Sequence, residues 1–186
     1  APLTEILGEL IRRLEQVEPE MKTSVMLYDP SGKRLMSAVG PSLPQEYVKT
    51  IDGLAIGEGV GSCGTAAWRR RTVIVEDVER DPLWKNYRQL GERYGFRACW
   101  SAPILDHEGE LLGTFASYFE EPKRPSIEQE ELIHQSTQIA AIAINSWRRE
   151  QALHERQTHL VASQRISNVG SWELDLIGRA SCREKV

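Results

Sequence analysis

The chain has 186 residues, of which 40% are hydrophobic and 27% are charged, a composition typical of a globular domain rather than a disordered chain. The formal net charge of −4 excludes a global positive field that would attract nucleic acid or an anionic membrane. Cys63, Cys99 and Cys182 are too few and too scattered for a disulfide framework or a zinc site. The sequence therefore predicts one domain and a linker in a reducing cytoplasm, without metal or cofactor.

An amphipathic helix is predicted for about residues 2–17. Its apolar positions alternate between spacings of four and three residues, as in a coiled-coil seam about two heptads long; they are Leu3, Leu7, Leu10, Leu14 and Val17. This face either packs on its own domain or contacts a second copy, and we favour a dimer contact that is shared with such packing. The helix is expected to stop before Pro19.

The next segments predict a β-hairpin and a short helix. Residues 24–28 and 33–39 flank Asp29-Pro-Ser-Gly32, whose Asp, Pro and Gly favour a turn. A Gly- and Pro-containing loop over 40–44 follows, and Pro44 starts a helix over 45–51.

The densest motif runs Gly57-Glu-Gly-Val-Gly-Ser-Cys-Gly-Thr-Ala-Ala-Trp68, with four glycines in eight residues. Glycine destabilises a helix or strand interior by roughly 0.5–1 kcal/mol relative to alanine, so the pattern predicts a tight loop. Ser62 is expected to be the N-cap of a short helix over 65–70.

A strand over 72–76 precedes Asp81-Pro82-Leu-Trp-Lys-Asn-Tyr, which predicts a helix with Asp81 as N-cap. That helix is expected to run to about residue 94 and to stop at Gly95. Residues 96–105 and 110–119 predict a second hairpin. Both faces of 110–119 carry apolar residues, which indicates a central strand covered on both sides.

A long helix is predicted from Ser126, its cap, to about residue 160. Five residues recur every seventh position: Leu132, Ile139, Ser146, Leu153 and Leu160. After Trp147 the composition becomes charged and only a narrow apolar seam is left. This change predicts a helix that leaves its domain as a two-stranded connector.

The order of these elements resembles the GAF domain, a small-molecule sensor module of bacterial signalling proteins, over about residues 1–150. The segments GxGVGSCGTAA and RACWSxPI are similar to a subgroup found in multidomain kinases and cyclic-di-GMP enzymes. The resemblance implies an α/β fold (α+β in its layers) with a central antiparallel sheet of about six strands. The N- and C-terminal helices would lie on one face, and the short helices and the ligand-type loop on the other.

Residues 164–176 resemble the opening of a PAS domain, in which a helix leads to a Gly-Ser-Trp-Glu strand, whereas 177–186 do not continue that pattern. The predicted organisation is an N-terminal helix (1–18), a GAF core (19–147), a connector helix (148–163), a truncated PAS-like start (164–176) and a vector-derived tail (177–186).

The resemblance implies a non-catalytic regulatory sensor domain that binds a small cytoplasmic molecule, dimerises, or does both. Its C-terminal helix would pass the signal to a PAS domain and an output domain, such as a two-component histidine kinase or a cyclic-di-GMP synthase or phosphodiesterase. The expected homodimer uses Leu3, Leu7, Leu10, Leu14, Leu132, Ile139 and Leu153. No nucleic-acid or membrane partner is expected.

Two alternatives stay open: a structural dimerisation module without ligand, and a Cys-dependent free methionine-sulfoxide reductase. The reductase motif resembles G-x-G-V-C-G-T-A-A, but here two extra residues separate Val60 from Cys63. Its second loop cysteine also has no counterpart, because residues 78–95 contain none.

The candidate ligand site combines the Gly-rich stretch with the aromatic and strand segments after it. Its predicted members are Cys63, Thr65, Asp81, Trp84, Tyr87, Cys99, Trp100 and Ser101. Cys63 lies near a helix start, where backbone N–H groups and the helix dipole lower a thiol pKa. It is therefore either a reactive thiol or a small residue that fills the junction, while Cys99 is expected to be an inert buried thiol.

Overall fold

The computed structural model describes the backbone of residues 2–183 and the side chains of residues 2–159 and 161. Its centre is a six-stranded antiparallel sheet in the order β3-β2-β1-β6-β5-β4. The strands are β1 (Lys22–Asp29), β2 (Arg34–Val39), β3 (Leu54–Ala55), β4 (Val73–Val75), β5 (Ala98–Leu105) and β6 (Leu111–Phe119). All nine residues of β6 are buried, which confirms the predicted central strand.

The helices are α1 (Leu3–Val17), α2 (Gln45–Ile51), α3 (Gly61–Arg69), a 3₁₀ helix (Pro82–Trp84), α4 (Arg88–Tyr94) and α5 (Ile127–Arg183). The chain divides into two compact units after Asn145, within α5. The first unit contains the sheet and every other helix, so it holds the candidate site.

The first unit has three layers. Helix α3 packs on β5 and β6, whereas α1 packs on β1 and β2. Leu7 and Ile11 of α1 are fully buried, and so is Ile144 of α5. The predicted layering, with the terminal helices on one face and the short helices on the other, is confirmed.

Local hydrogen bonds explain several element boundaries. The Asp29 carboxylate accepts the backbone N–H groups of Ser31 and Gly32, which closes the turn between β1 and β2. Ser126 and Gln129 cap α5 reciprocally: Ser126 Oγ accepts the Gln129 N–H, and Gln129 Oε1 accepts the Ser126 N–H. The sequence patterns at both boundaries thus act through their expected mechanisms.

Two predicted local features are wrong. Ser62 is not an N-cap: α3 begins one residue earlier, and the Ser62 hydroxyl bonds across the domain instead. The segment after Asp81 is not one helix, because a 3₁₀ helix ends at Trp84 and α4 begins only at Arg88. Between them the Tyr87 N–H donates to the Trp84 carbonyl at 2.8 Å, closing a tight turn instead of an α-helical one.

The seam of α1 faces its own domain. Leu3, Leu7 and Leu14 are only 5%, 0% and 5% exposed, so these side chains leave no surface for a partner. The part of the dimer prediction that rests on them is therefore corrected to packing within the domain. Leu10 and Leu132 are half-buried.

Helix α5 continues through residues 164–176, where the resemblance to a PAS domain implies a strand. A strand needs the backbone of a neighbouring strand to pair with, and the described residues after 145 contain no strand. The helix is therefore the conformation that satisfies its own backbone there. The domain boundaries proposed for this segment stay predictions.

Candidate functional site

A cavity of about 370 Å³ lies between the sheet and the layer formed by α2, α3, the 3₁₀ helix and α4. Aromatic rings, thiols and aliphatic groups make up most of its wall. The lining residues are Met26, Tyr47, Thr50, Ile51, Leu54, Val60, Gly61, Ser62, Cys63, Trp84, Asn86, Tyr87, Gln89, Leu90, Arg93, Cys99 and Tyr118. A concave, mostly apolar site with a few polar groups is the usual form of a small-ligand pocket.

One buried hydroxyl ties together three of the elements around the cavity. The Trp84 indole N–H donates to Ser62 Oγ at 2.8 Å, and Ser62 Oγ donates to the Cys99 carbonyl at 3.0 Å. This chain joins the 3₁₀ helix, α3 and β5. It holds the Trp84 indole, which is 4% exposed, as a fixed wall of the cavity.

Cys63 of α3 and Cys99 of β5 line the same cavity as free, buried thiols. The neighbouring Cys99 thiol is the largest cause that lowers the pKa of Cys63, and hydroxyls from the sheet lower it further while burial opposes them. Burial raises the pKa of Cys99 well above its ordinary value, and Cys63 raises it further. The pair is therefore chemically unequal, with Cys63 the more acidic thiol.

Three hydroxyls of the sheet lower the pKa of Cys63, those of Ser101, Tyr118 and Thr114. Ser101 Oγ and Thr114 Oγ1 are buried without a hydrogen-bond partner among the described residues. A thiolate accepts hydrogen bonds, so both hydroxyls can stabilise the ionised form of Cys63.

The floor of the cavity is aromatic. The Tyr47 and Tyr118 rings meet edge to face with centroids 5.4 Å apart, and Phe96 packs against both at 4.9 Å. Burial raises the pKa of Tyr47 and of Tyr118, so both phenols stay neutral at physiological pH. The floor is thus apolar and uncharged.

The open side of the cavity carries polar groups, from Thr50, Asn86, Gln89 and Arg93. The Arg93 guanidinium pairs with the Glu46 carboxylate at 3.2 Å, and both side chains are largely exposed. Exposed pairs of this kind contribute about 0–1 kcal/mol, so a ligand anion can replace Glu46 at little cost.

The structure brings together part of the predicted site. Cys63, Trp84, Tyr87 and Cys99 line the cavity, and Ser101 lies beside the Cys63 thiol without reaching the lining. Thr65 and Asp81 are local structural groups and lie outside the lining. Thr65 Oγ1 donates to the Gly61 carbonyl at 2.6 Å, and Asp81 Oδ1 accepts the Leu83 N–H at 2.9 Å.

Trp100 belongs to the opposite face of the sheet. Successive side chains of a strand point to opposite faces, so Cys99 and Ser101 face α3 while Trp100 faces away. Its ring packs on Phe119 with centroids 4.2 Å apart, and its N–H donates to the Lys123 carbonyl at 3.0 Å. The prediction that Trp100 contacts a ligand in this cavity is wrong.

Trp100 instead borders a larger cavity of about 470 Å³ between the edge of the sheet and the first turns of α5. Arg70, Arg71 and Glu130 contribute charged groups to its lining, and no thiol reaches it. The smaller cavity is the better candidate because it combines an apolar aromatic floor with a few polar groups and two free thiols.

The residues that sequence analysis missed come mainly from α2 and α4. Tyr47, Thr50 and Ile51 reach the cavity from α2, and Arg93 reaches it from α4. The sequence predicted α2 with correct bounds, and the family resemblance implied the face it covers, but nothing in its pattern indicated which of its side chains would reach the cavity.

Two searches of the described residues bear on other functions. No group of three or more His, Cys, Asp and Glu side chains converges there to hold a metal ion. Within the same residues, no helix is both long and apolar enough to cross a bilayer.

The GAF domain family model matches residues 1–145. The methyl sulfide methyltransferase-associated sensor of Methanosarcina acetivorans is 36% identical over 157 residues, which are 84% of this chain and 16% of that protein. The chain thus spans about a sixth of that relative's length.

Among solved structures, the GAF domain of a Coxiella burnetii phosphoenolpyruvate-protein phosphotransferase superposes with a TM-score of 0.68 at 24% identity, covering 82% of this chain and 88% of that one. A domain of a putative two-component sensor histidine kinase from Sinorhizobium meliloti gives 0.66 at 20% identity, covering 83% and 98%. These two likenesses show the shared fold. The match of the family model over residues 1–145 shows that the chain belongs to the GAF domain family.

Proposed function

We propose that this chain is a regulatory sensor domain that binds a small molecule in the cavity beneath α3. The observation that carries this proposal is the cavity itself, with its neutral aromatic floor and its polar open side. The relative from Methanosarcina acetivorans is described as a sensor, which supports the same role here.

The lining favours a compact ligand with an aromatic or apolar body and an anionic or carbonyl group. Tyr47, Trp84 and Tyr87 would pack against the body, while Asn86, Gln89 and Arg93 would donate hydrogen bonds to the polar end. The volume of about 370 Å³ is near the lower end of the range of roughly 300–1,000 Å³ for ligand pockets.

Native mass spectrometry of the purified protein tests for a retained ligand through its excess mass. For an apo sample we would use 1-anilinonaphthalene-8-sulfonate as the probe, because it combines an aromatic body with an anion. Trp84→Ala should weaken probe binding, whereas Trp100→Phe, on the opposite face, should leave it unchanged. If the protein shows no excess mass and does not bind the probe, the alternative of a structural dimerisation module would be favoured.

The proposed sensor also dimerises through α5, which carries exposed apolar side chains. Ile139 and Ile142 are 53% and 67% exposed, and Leu153 is 59% exposed. Ile139 and Leu153 belong to the seven-residue repeat that predicts a two-stranded helical contact. Through this contact a ligand would bias a downstream PAS domain and output domain, a histidine kinase or a cyclic-di-GMP enzyme, by its differential affinity for two helix arrangements.

Sedimentation velocity at tens of micromolar tests the dimer. The combined substitution Ile139→Glu and Leu153→Glu should give a monomer, while Val17→Glu, at a position 68% exposed on α1, should not. A monomeric wild-type chain would contradict the dimer but not the ligand site.

The reductase alternative gains one specific observation, which is that Cys63 and Cys99 share the cavity. Turnover of free methionine sulfoxide that is lost in Cys63→Ser would favour it over the sensor. If the wild-type protein does not turn over free methionine sulfoxide but binds the probe, the sensor function would be favoured over the reductase.

A further inference from the structure

We propose that Cys63 and Cys99 are an oxidation site, at which a small hydroperoxide entering the cavity converts the two thiols into a reversible disulfide. The proposal uses the same cavity as the proposed sensor but needs no ligand in it. Oxidation can therefore succeed or fail independently of ligand binding.

The first support is geometric. Both thiols line the cavity, so a small solute in it reaches sulfur although each cysteine is at most 6% exposed. The two cysteines belong to α3 and β5, and α3 packs directly on β5. The Ser62 bond to the Cys99 carbonyl fixes the start of α3 on β5, beside both cysteines.

The second support is the unequal chemistry of the pair. Thiolate is the form that attacks a peroxide, and the Cys99 thiol and the sheet hydroxyls lower the pKa of Cys63. Ser101 and Thr114 hold otherwise unpaired hydroxyls beside it. Burial keeps Cys99 protonated, so its proton must pass to the departing hydroxyl as Cys99 attacks the sulfenic sulfur.

The proposed reaction has two steps. Cys63 sulfur attacks the terminal peroxide oxygen, the O–O bond breaks, and a sulfenic acid forms with release of an alcohol, or of water from hydrogen peroxide. Cys99 sulfur then attacks the sulfenic sulfur, the S–O bond breaks, and the disulfide forms with release of water. Overall, two thiols lose two electrons and two protons to one peroxide, and an added dithiol reverses the change.

A disulfide here would join α3 covalently to β5 and remove two thiols from the cavity wall. Peroxide would therefore change the shape of the ligand pocket as well as its chemistry.

The test uses the whole chain with Cys182→Ser, which removes the third cysteine. The reduced protein is treated with graded hydrogen peroxide and quenched with N-ethylmaleimide in denaturant, and intact mass is measured. We expect a species about 2 Da lighter than the reduced chain that carries no maleimide, with linked peptides of Cys63 and Cys99 and full reversal by dithiothreitol. Two maleimides on every molecule at all peroxide concentrations would overturn the proposal.

Single substitutions assign the roles. Cys99→Ser should accumulate a dimedone-reactive sulfenic acid on Cys63, whereas Cys63→Ser should leave Cys99 reduced; the reverse pattern would refute the assignment of Cys63 as nucleophile. Ser101→Ala keeps both thiols and should move the midpoint of the pH–rate profile of oxidation upward. An unchanged profile in a folded Ser101→Ala protein would refute the role of that hydroxyl in favouring the thiolate.

Discussion

Ser62→Ala removes the one hydroxyl that joins Trp84, α3 and β5. The indole N–H of Trp84 and the carbonyl of Cys99 would each lose a buried hydrogen bond. An unsatisfied buried group costs about 1–3 kcal/mol. The carbonyl keeps a second lone pair and loses less than the N–H, so we expect a loss of about 2 kcal/mol in the free energy of unfolding.

Urea denaturation measures this loss. With a slope of about 2 kcal/mol per molar, the midpoint of unfolding should fall by about 1 M. Ser31→Ala is the matched control, because it also removes one hydroxyl bonded at 2.7 Å, but on the exposed turn before β2. Its effect should stay within about 0.5 kcal/mol.

A double-mutant cycle with Trp84→Phe tests the cause. Phenylalanine has no N–H to leave unpaired, so Ser62→Ala should cost about 1 kcal/mol less in that background than in the wild type. Equal costs in both backgrounds, or a wild-type loss no larger than that of Ser31→Ala, would refute the argument that the hydroxyl relay holds the wall of the cavity.

Three further predictions concern the frame around the site. Leu7→Ala should lower the free energy of unfolding by about 3 kcal/mol in equilibrium denaturation, because this α1 side chain is fully buried. Gly113→Ala should lower the free energy of unfolding by more than about 3 kcal/mol or prevent folding, because its Cβ would lie 2.1 Å from a carbonyl oxygen of β1. The control Gly109→Ala has open space around it and should cost only about 1 kcal/mol, for its positive φ. Backbone N–H groups, that of Glu110 first, lower the pKa of Asp106. The ionised Asp106 carboxylate therefore stabilises the folded state above the ordinary aspartate pKa of about 3.9, and this stabilisation is lost as pH falls. The stability difference between the wild type and Asp106→Asn should therefore be present at pH 7 and shrink below about pH 4, as thermal melts across pH would show.

The sequence predicted most of the sheet and helices because their patterns act locally. The Asp29 turn, the Ser126 cap and Gly95 each work through hydrogen bonds or backbone angles within a few residues. Ser62 misled the prediction because its residue type favours an N-cap, but tertiary partners take its hydroxyl. A local propensity cannot anticipate a hydrogen bond between residues 37 positions apart in the chain.

The candidate site was only partly predictable for a related reason. Strand alternation alone places Trp100 on the opposite face of β5 from Cys99 and Ser101, so this part of the site was predictable from the sequence. In contrast, the contributions of Tyr47 and Arg93 depend on how α2 and α4 sit on the sheet. No periodicity in either short helix specifies that placement.

The alternation of side chains within β5 also places two different cavities on opposite faces of the sheet. Cys99 lines the smaller cavity and Ser101 lies on the same face of the sheet, while Trp100 and Ala102 border the larger cavity at the first turns of α5. One strand thus separates the candidate ligand and oxidation site from the helix proposed to carry the output. Because packed interiors are dense and transmit strain, a displacement of Cys99 would also displace Trp100, its neighbour in β5. Trp100 therefore belongs to the α5 side of the sheet and not to the candidate ligand cavity.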